Sequence, residues 1–414
     1  MSGESPDSGE YAKALGRKVA LHRKRRGLSQ KEFAGLLGRS EAWVSQVERG
    51  VRRIDRMTVL EKIADTLDLP VAELAAEAPL VASAITRDPS AAGALRVLLG
   101  EAHALRAVLS GAGPVDRTKL RDGVDRAWQL THAGEYTDLA ELLTGLIPEL
   151  EAAARTGGDG DERDLFRLLA SAYQACGAAL AHAGDPDAAW VAVDRSVVAA
   201  ERARDPLLMA AGGFRLAIVF NGARRHEEAG RVAGDTADAL ALAVEHGDPA
   251  AVALCGALTL QRAVAAGRSN RAEEAYEHLR RAREMAVTVD GENDGHHTEF
   301  GTLNVELHEV AVAVCLGDAG RALRVAEHLD VSGLSAERRA RFQIDVATAR
   351  TQRRRVVEAV TSLEAALDLA PEMVRDKPVV RRLVSDLLTM SPVASDRLRR
   401  LARETGIPVG STDR

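Results

Sequence analysis

The sequence is poor in aromatic residues and rich in small and aliphatic ones. Aromatic side chains make up 3% of the 414 residues, whereas hydrophobic residues make up 46%, with alanine and leucine the most frequent. This composition favours helix over sheet, because aromatic and β-branched residues are the ones that favour strands. We therefore expect an all-α protein, and a chain of this length should form two or three domains.

Cysteines are few, and a long apolar run is lacking. Cys176, Cys255 and Cys315 are far apart within apolar helical patterns, which predicts buried free thiols in a reducing compartment. The most apolar run, residues 207–220, is interrupted by Arg215 and is shorter than the ~20 residues that a bilayer requires. No signal peptide precedes the first charged segment, so we expect a cytoplasmic protein with no membrane contact.

Motifs of catalysis, cofactors and metals are also missing. The residue four positions after His308 is Val312, so the spacing of a zinc protease is absent, and the HHTE stretch at 296–299 does not supply it. Neither acidic stretch, at 158–164 or 290–294, has the order of a calcium loop. Because there is no phosphate loop, nucleophile elbow or cofactor fingerprint, we expect no enzyme, no cofactor and no metal.

Charge is distributed unevenly along the chain. The formal net charge is -6, yet residues 11–56 contain 13 Lys and Arg against four Asp and Glu, whereas the rest contains 42 against 57. A basic head on an acidic body is expected when one end of a protein binds a polyanion. The RKRR run at 23–26 alone would equally suit a solvated helix face.

The basic head contains two short helical patterns separated by a turn, in the stretch LSQKEFAGLLGRSEAWVSQVERG at residues 28–50. Ser29 is an N-cap with Glu32 three residues on, as in a capping box, and the first pattern stops at Gly38. Ser40 caps the second pattern, which stops at Gly50. The sequence thus predicts two helices of two to three turns.

Four residues stand at fixed offsets within this stretch. Counting from Gln30, Ala34 is fifth, Gly38 ninth, Val44 fifteenth and Val47 eighteenth. Alanine lets two helices cross closely, glycine can adopt the positive φ of a tight turn, and the valines bury the inner face of the second helix. Together these constraints are far more specific than a basic run.

On these residues, the segment over about 10–76 resembles the helix-turn-helix domains of the phage-repressor-like (XRE) family. The flanking stretches at 15–27 and 54–74 supply a first helix and a fourth and fifth helix. The resemblance implies that Arg23 of the first helix pairs with Glu48 beneath the recognition helix. His22 departs from the pattern, since many relatives have an apolar residue there.

The resemblance implies direct readout of double-stranded DNA by the helix at 40–49, which would enter the major groove N-terminus first. Glu41, Ala42 and Gln46 would face base edges with Trp43 and Ser45 at the margin, although Trp43 would equally cover the edge of the core. Other side chains would hold phosphates and set the register without reading sequence. These are Gln30, Ser40, Arg49, Arg52, Arg53 and Arg56.

The rest of the chain is a succession of helical segments punctuated by similar turns. Glycines of these turns at 184, 222, 267 and 317 are separated by about the length of a helix hairpin with variable loops. The pattern resembles degenerate tetratricopeptide repeats, and stacked helix pairs form an α-solenoid. The predicted organisation is a disordered tail at 1–9, the five-helix domain at 10–76, a helical linker at 77–113, the solenoid at 114–392 and a C-terminal tail at 393–414.

The first helix of each hairpin should line a concave groove. Polar residues on those helices are candidates for binding an effector, although each could instead face water or cap a neighbouring helix. Asn304 and His308 are four residues apart and therefore share a face. The candidate effector-binding residues are Tyr173, Arg215, Asn221, Gln261, Asn304 and His308.

A helix-turn-helix head followed by such repeats resembles the peptide-responsive quorum-sensing regulators, and the Ala/Arg-rich composition resembles their actinobacterial members. This implies a transcriptional regulator that binds an inverted-repeat operator as a homodimer and responds to a small peptide or metabolite. The alternative is a regulator whose solenoid is only a dimerisation or docking scaffold. A polar groove would favour the sensor, whereas an apolar groove would favour helix docking.

Overall fold

The structure, a computed structural model, describes residues 6–52, 54, 57–69, 71–74, 90–110, 115–156, 162–289, 296–391 and 393–407. Over these residues it is helical with no strand, which confirms the all-α prediction. The head comprises α1 (Pro6–Arg25), α2 (Gln30–Leu37), α3 (Glu41–Glu48), α4 (Met57–Leu67) and α5 (Val71–Leu74).

The remaining helices form the repeat domain. They are α6 (Ser90–Gly100), α7 (His103–Ser110), α8 (Arg117–Ala133), α9 (Tyr136–Thr156), α10 (Glu162–His182), α11 (Pro186–Ala203), α12 (Pro206–Gly222), α13 (His226–Ala239), α14 (Ala241–Glu245), α15 (Pro249–Arg268), α16 (Ala272–Thr288), α17 (Thr302–Leu316), α18 (Ala319–Ala326), α19 (Ala336–Gln352), α20 (Val356–Leu369), α21 (Pro371–Asp376), α22 (Pro378–Met390) and α23 (Asp396–Glu404).

The helix caps of the head are formed by the residues that the sequence predicts. The Ser29 hydroxyl accepts from the Glu32 amide while the Glu32 carboxylate accepts from the Ser29 amide, which completes the capping box of α2. Gly38 ends α2 at φ 65°, a left-handed conformation that glycine adopts without strain. The Ser40 hydroxyl then accepts from the Trp43 amide and starts α3.

The repeat domain is a solenoid that closes on itself. The first helices of its hairpins, α8, α10, α12, α15, α17 and α19, contact one another in this order, and α19 returns to contact α8. One hydrophobic core accordingly joins the N-terminal hairpins to the C-terminal helices. The interior of the superhelix is therefore enclosed by six helices.

Each hairpin turn contains one residue in the left-handed conformation. It is glycine in three turns, at 134, 184 and 317. In the other three turns it is Arg224, Asn270 or Arg354, with φ of 62°, 60° and 59°. A side chain makes this conformation less favourable than it is for glycine, least so for asparagine, so the two arginines in particular indicate a constraint beyond the turn itself.

The ends of the chain differ from the predicted boundaries. Helix α1 begins at Pro6, inside the segment expected to be a tail, and α23 lies inside the expected C-terminal tail with Leu398, Leu401 and Ala402 buried in the solenoid core. The segment expected to be a linker contains α6 and α7, which pack on α9. Apolar residues at helical spacing explain both packed segments.

One described helix, α15, is long and apolar enough to cross a membrane by length and composition. However, most of this helix is buried, and it contacts α12, α13, α16 and α17. Its composition therefore matches that of a central core helix.

Candidate DNA-binding surface and repeat-domain interior

Helix α3, the predicted recognition helix, presents one face to solvent. Glu41 and Ala42 are exposed, and Ser45 and Gln46 are partly exposed on the same helix. Trp43 packs against the head core, with the Arg39 guanidinium 5.5 Å from its ring centroid. The predicted base-contacting residues therefore lie together on α3, and Trp43 has a packing role in addition.

The predicted phosphate contacts are only partly described. Ser40, Arg49 and Arg52 are exposed around α3, whereas Arg53 and Arg56 lie outside the described residues. Gln30 is partly buried at the start of α2, and its amide donates to the Glu48 carboxylate at 2.8 Å. Gln30 thus has a structural partner inside the head.

Arg23 and Glu48 form the buried pair of the head. The Arg23 Nε donates to Glu48 Oε1 at 2.5 Å and its Nη2 to Oε2 at 3.0 Å, with both side chains less than a tenth exposed. Arg23 Nη1 also donates to the Leu28 carbonyl. A single side chain thus joins α1, the loop before α2 and the end of α3.

The head is docked on the solenoid by residues that are not among the predicted site residues. Arg354, at the left-handed position of its turn, donates to both carboxylate oxygens of Glu32 and to the Gly27 carbonyl. Because Arg354 stabilises the carboxylate, the pKa of Glu32 is lowered to about 2. This ion pair therefore persists above the ordinary carboxyl pKa and is lost as pH falls toward 2.

The other strained turn residues contact the head in the same way. Arg224 and Arg382 both pair with Asp68, at the end of α4. The Arg25 guanidinium donates to the Asn270 side chain at 2.5 Å. All three left-handed side chains therefore bind the head, which supplies the reason for their strain.

A buried pair and shared apolar packing complete the docking interface. Arg26 binds both oxygens of Asp386 on α22, whose side chain is 1% exposed. Met390 of α22 and Val356 of α20 pack into the head core itself. The interface lies on the ends of α1 and α4 and the start of α2, away from the exposed half of α3.

Several predicted effector residues are buried and bonded within the protein. The Tyr173 hydroxyl donates to Glu151 at 2.7 Å, and Asn221 donates to the Gln261 side chain and carbonyl. Tyr173, Asn221 and Gln261 are all buried. These three residues pack the solenoid rather than line an open groove.

Two of the other three predicted effector residues, Arg215 and Asn304, bind a segment of the chain itself, residues 296–300, which lies in the interior. Arg215 donates to the His297 carbonyl at 2.6 Å, and Asn304 donates weakly to the Thr298 carbonyl at 3.5 Å. His308 lies on the same helix as Asn304 and bonds that residue's carbonyl through Nδ1. Burial lowers the pKa of His308 to about 4.

Beyond this segment lies a group of charged side chains. Arg341 pairs with Glu337, yet its side chain is 50% exposed. Burial, with Arg341 nearby, lowers the pKa of Lys377 to about 7, and burial raises the pKa of Asp345 to about 6. This part of the protein therefore contains several charged groups close together.

Comparison with known proteins identifies the head. Residues 14–76 match the family model described as a helix-turn-helix domain, so the chain carries such a domain at its N-terminal end. A search of curated proteins found no match. Among solved structures, the chain is similar to Bacillus thuringiensis PlcR in complex with the peptide PapR7 and DNA, at 16% identity over 67% of this chain and 96% of that one. The TM-score of this match is 0.27.

Proposed function

We propose that this protein is a transcriptional regulator that binds an operator through α3 and whose solenoid responds to a small peptide or metabolite. The observation that supports DNA binding is that Glu41 and Ala42 are exposed, and Gln46 is partly exposed, on the recognition helix α3 while the head is docked. Gln46 can bond adenine through two atoms, Ala42 can touch a thymine methyl, and Glu41 can accept from cytosine. Each of these contacts distinguishes one base.

Phosphate contacts would fix the register of this helix on the duplex. The exposed Ser40, Arg49 and Arg52 flank α3, and Arg53 and Arg56 follow it in sequence. Gln30 is better placed to support Glu48 than to reach a phosphate, although the same amide has a second hydrogen to donate. This basic surface supplies the salt-dependent part of the affinity.

The docking interface offers a route from the solenoid to DNA. Turns of three different hairpins, at Arg224, Asn270 and Arg354, bind the head together with α22. A change in the pitch of the superhelix would move these turns relative to one another and would therefore reorient the head. In a dimer, such a movement would change the spacing of the two recognition helices.

Replacing Arg354 with glycine should weaken this coupling without harming the turn, because glycine adopts the left-handed conformation freely. We expect wild type to discriminate against operators whose half-site spacing is altered by one or two base pairs, and Arg354→Gly to lose most of that discrimination. Binding titrations with the spacing series measure this. Arg353→Ala, at the exposed neighbouring position, is the matched control and should behave as wild type. Unchanged discrimination in Arg354→Gly would contradict the coupling.

A homodimer is proposed because one recognition helix covers only half of a site that would be specific in a genome. Exposed apolar side chains on α6 and α7, with Leu105 60% and Leu109 76% exposed, are suited to the contact. We expect the full chain to sediment as a dimer at micromolar concentration and Leu109→Glu to sediment as a monomer. Val357→Glu, on an exposed position of α20, should remain dimeric. A monomeric wild type would contradict the proposal.

The effector half of the proposal rests on the polar interior enclosed by six helices. We expect a fraction of cell extract to change operator affinity about 5- to 150-fold, the usual range of coupling. Arg215→Ala should lose this response but keep operator binding without extract, while Arg281→Ala, on the outer α16, should respond as wild type.

The internal bonding of Tyr173, Asn221 and Gln261 favours the second candidate, a solenoid that is only a dimerisation or docking scaffold. In that case no extract fraction would alter the operator affinity of wild type, Arg215→Ala or Arg281→Ala. A response of Arg215→Ala equal to that of wild type would likewise count against an interior effector site.

A further inference from the structure

Residues 296–300 pass through the interior of the superhelix instead of over its surface. Five helices contact them: Trp128 and His132 come from α8, Arg215 from α12, Gly256 from α15, Asn304 from α17 and Arg338 from α19. Thr298 and Phe300 are buried there. The segment therefore occupies the space that a ligand of the solenoid would fill.

Side chains of the solenoid bind the backbone of this segment. Arg215 Nη2 donates to the His297 carbonyl at 2.6 Å, and Arg338 Nη2 donates to the Thr298 carbonyl at 2.8 Å. The same Arg215 atom is 3.4 Å from the His296 carbonyl. Three consecutive carbonyls thus accept from guanidinium groups of facing helices. Donors of this kind hold a peptide main chain whatever its side chains are.

Two side chains of the segment fit matching features of the interior. The His297 ring stacks on Trp128 with centroids 3.9 Å apart and an angle of 12° between the planes. Burial, and then Arg215, lower the pKa of His297 to about 3, so the stacked ring is neutral. Glu299 pairs with Arg338 and lies 3.7 Å from His132.

Phe300 completes the fit, because its ring lies where a side chain at Gly256 would be. The site therefore has an aromatic platform for a flat ring, donors for the backbone, a cationic position for a carboxylate and a notch for a second ring.

The segment is held in this site against its own backbone preference. His297 and Glu299 have φ of 52° and 48°, in the left-handed region that non-glycine residues seldom adopt. Such conformations persist only where surrounding contacts impose them. A free peptide that makes the same side-chain contacts without this strain would compete with the segment.

We infer that Trp128, Arg215 and Arg338 form a peptide-binding site and that residues 296–300 are its resident ligand. The competing effector is a short peptide with a flat ring, a small residue and a carboxylate in succession. This inference rests on the effector half of the proposed function, and it assigns the effector's site and chemistry. Effector binding then requires release of the segment from the interior. This release is what changes the shape of the solenoid.

The test uses a fluorescein-labelled, amidated synthetic peptide of residues 296–299 and a full-length variant with His297→Ser, Thr298→Gly and Glu299→Ser. Phe300 is kept so that the core remains packed. Fluorescence anisotropy should show that the peptide binds this variant at least about tenfold more tightly than wild type, because the site of wild type is filled by its own segment. The peptide of reversed sequence should bind neither protein.

Adding Arg215→Ala to the variant should abolish the binding, and adding Arg339→Ala, beside Arg338, should not. The single change His297→Ala leaves the backbone contacts in place and should also increase peptide affinity, by a smaller factor. This second variant keeps the inference testable if the triple variant does not fold. Equal peptide binding by wild type and both variants, or binding that survives Arg215→Ala, would overturn the inference. Operator titrations on the same proteins report the proposed function separately, because DNA binding does not require the peptide.

Discussion

Replacing Glu48 with alanine should lower the free energy of unfolding of the head by about 3–5 kcal/mol, the range for removing one partner of a buried ion pair. The change leaves the Arg23 guanidinium, 8% exposed, without its carboxylate partner. It also removes the acceptor of Gln30. We expect the backbone amides of α1–α3 to lose their protection from hydrogen exchange at a far lower denaturant concentration than in wild type.

Glu41→Ala is the control, because Glu41 is an exposed carboxylate on the same helix. It should change stability by no more than about 0.5 kcal/mol, as surface substitutions usually do. If the head of Glu48→Ala melted within about a degree of wild type, the pair would contribute far less than its burial implies.

Replacing Gln46 with alanine should cost about 1–3 kcal/mol at a specific operator, which corresponds to roughly a 5- to 150-fold loss of affinity. Affinity for random DNA should hardly change, because a base contact contributes little there. Titrations on both DNAs over a range of salt concentrations measure the difference. The experiment separates base readout from phosphate binding.

Arg52→Ala is the matched variant, since Arg52 is exposed beside the recognition helix and lies 3.5 Å from the Gln46 side chain. It should weaken binding to both DNAs and reduce the slope of affinity against salt by about one ion. Should the two variants behave alike on both DNAs, the division into base and phosphate contacts would be wrong.

The head could be predicted from the sequence because its determinants are local. Ser29, Glu32, Gly38 and Ser40 act within one turn of the residues that they cap, and their offsets are visible in the printed chain. The same holds for the all-α class, which follows from composition and periodicity. The α23 segment also has a local signal, because Leu398, Leu401 and Ala402 follow Ser395 at helical spacing, although the segment falls within the predicted C-terminal tail.

The interior of the solenoid could not be predicted in the same way, because its contacts depend on how the superhelix closes. Arg338 meets Thr298 only because α19 returns to α8, and nothing near either residue in sequence encodes that return. Their position on the first helices of the hairpins predicts that Tyr173 and Asn221 face a groove, yet both side chains are buried by neighbouring hairpins. Arg215 is the predicted effector residue that contacts the interior segment most closely.

The docking interface could not be predicted from the sequence either, but the residues at the hairpin turns give a partial indication of it. Arg224, Asn270 and Arg354 occupy turn positions where three equivalent turns have glycine. Once the repeats are aligned, a residue other than glycine at such a position suggests a constraint from outside the turn. Which partner imposes the constraint is visible only in three dimensions, where Glu32, Asp68 and Arg25 of the head meet these side chains.

The most direct measurement is selection from a random-sequence duplex library by the full-length protein, with Gln46→Ala selected in parallel. Sequence-specific binding by α3 of a dimer predicts that wild type enriches an inverted repeat with half-site centres about one helical turn, or a multiple of it, apart. Gln46→Ala should lose the preference at the base that Gln46 reads. Selection of no sequence above the starting library by wild type, or identical motifs from both proteins, would contradict DNA readout by this helix.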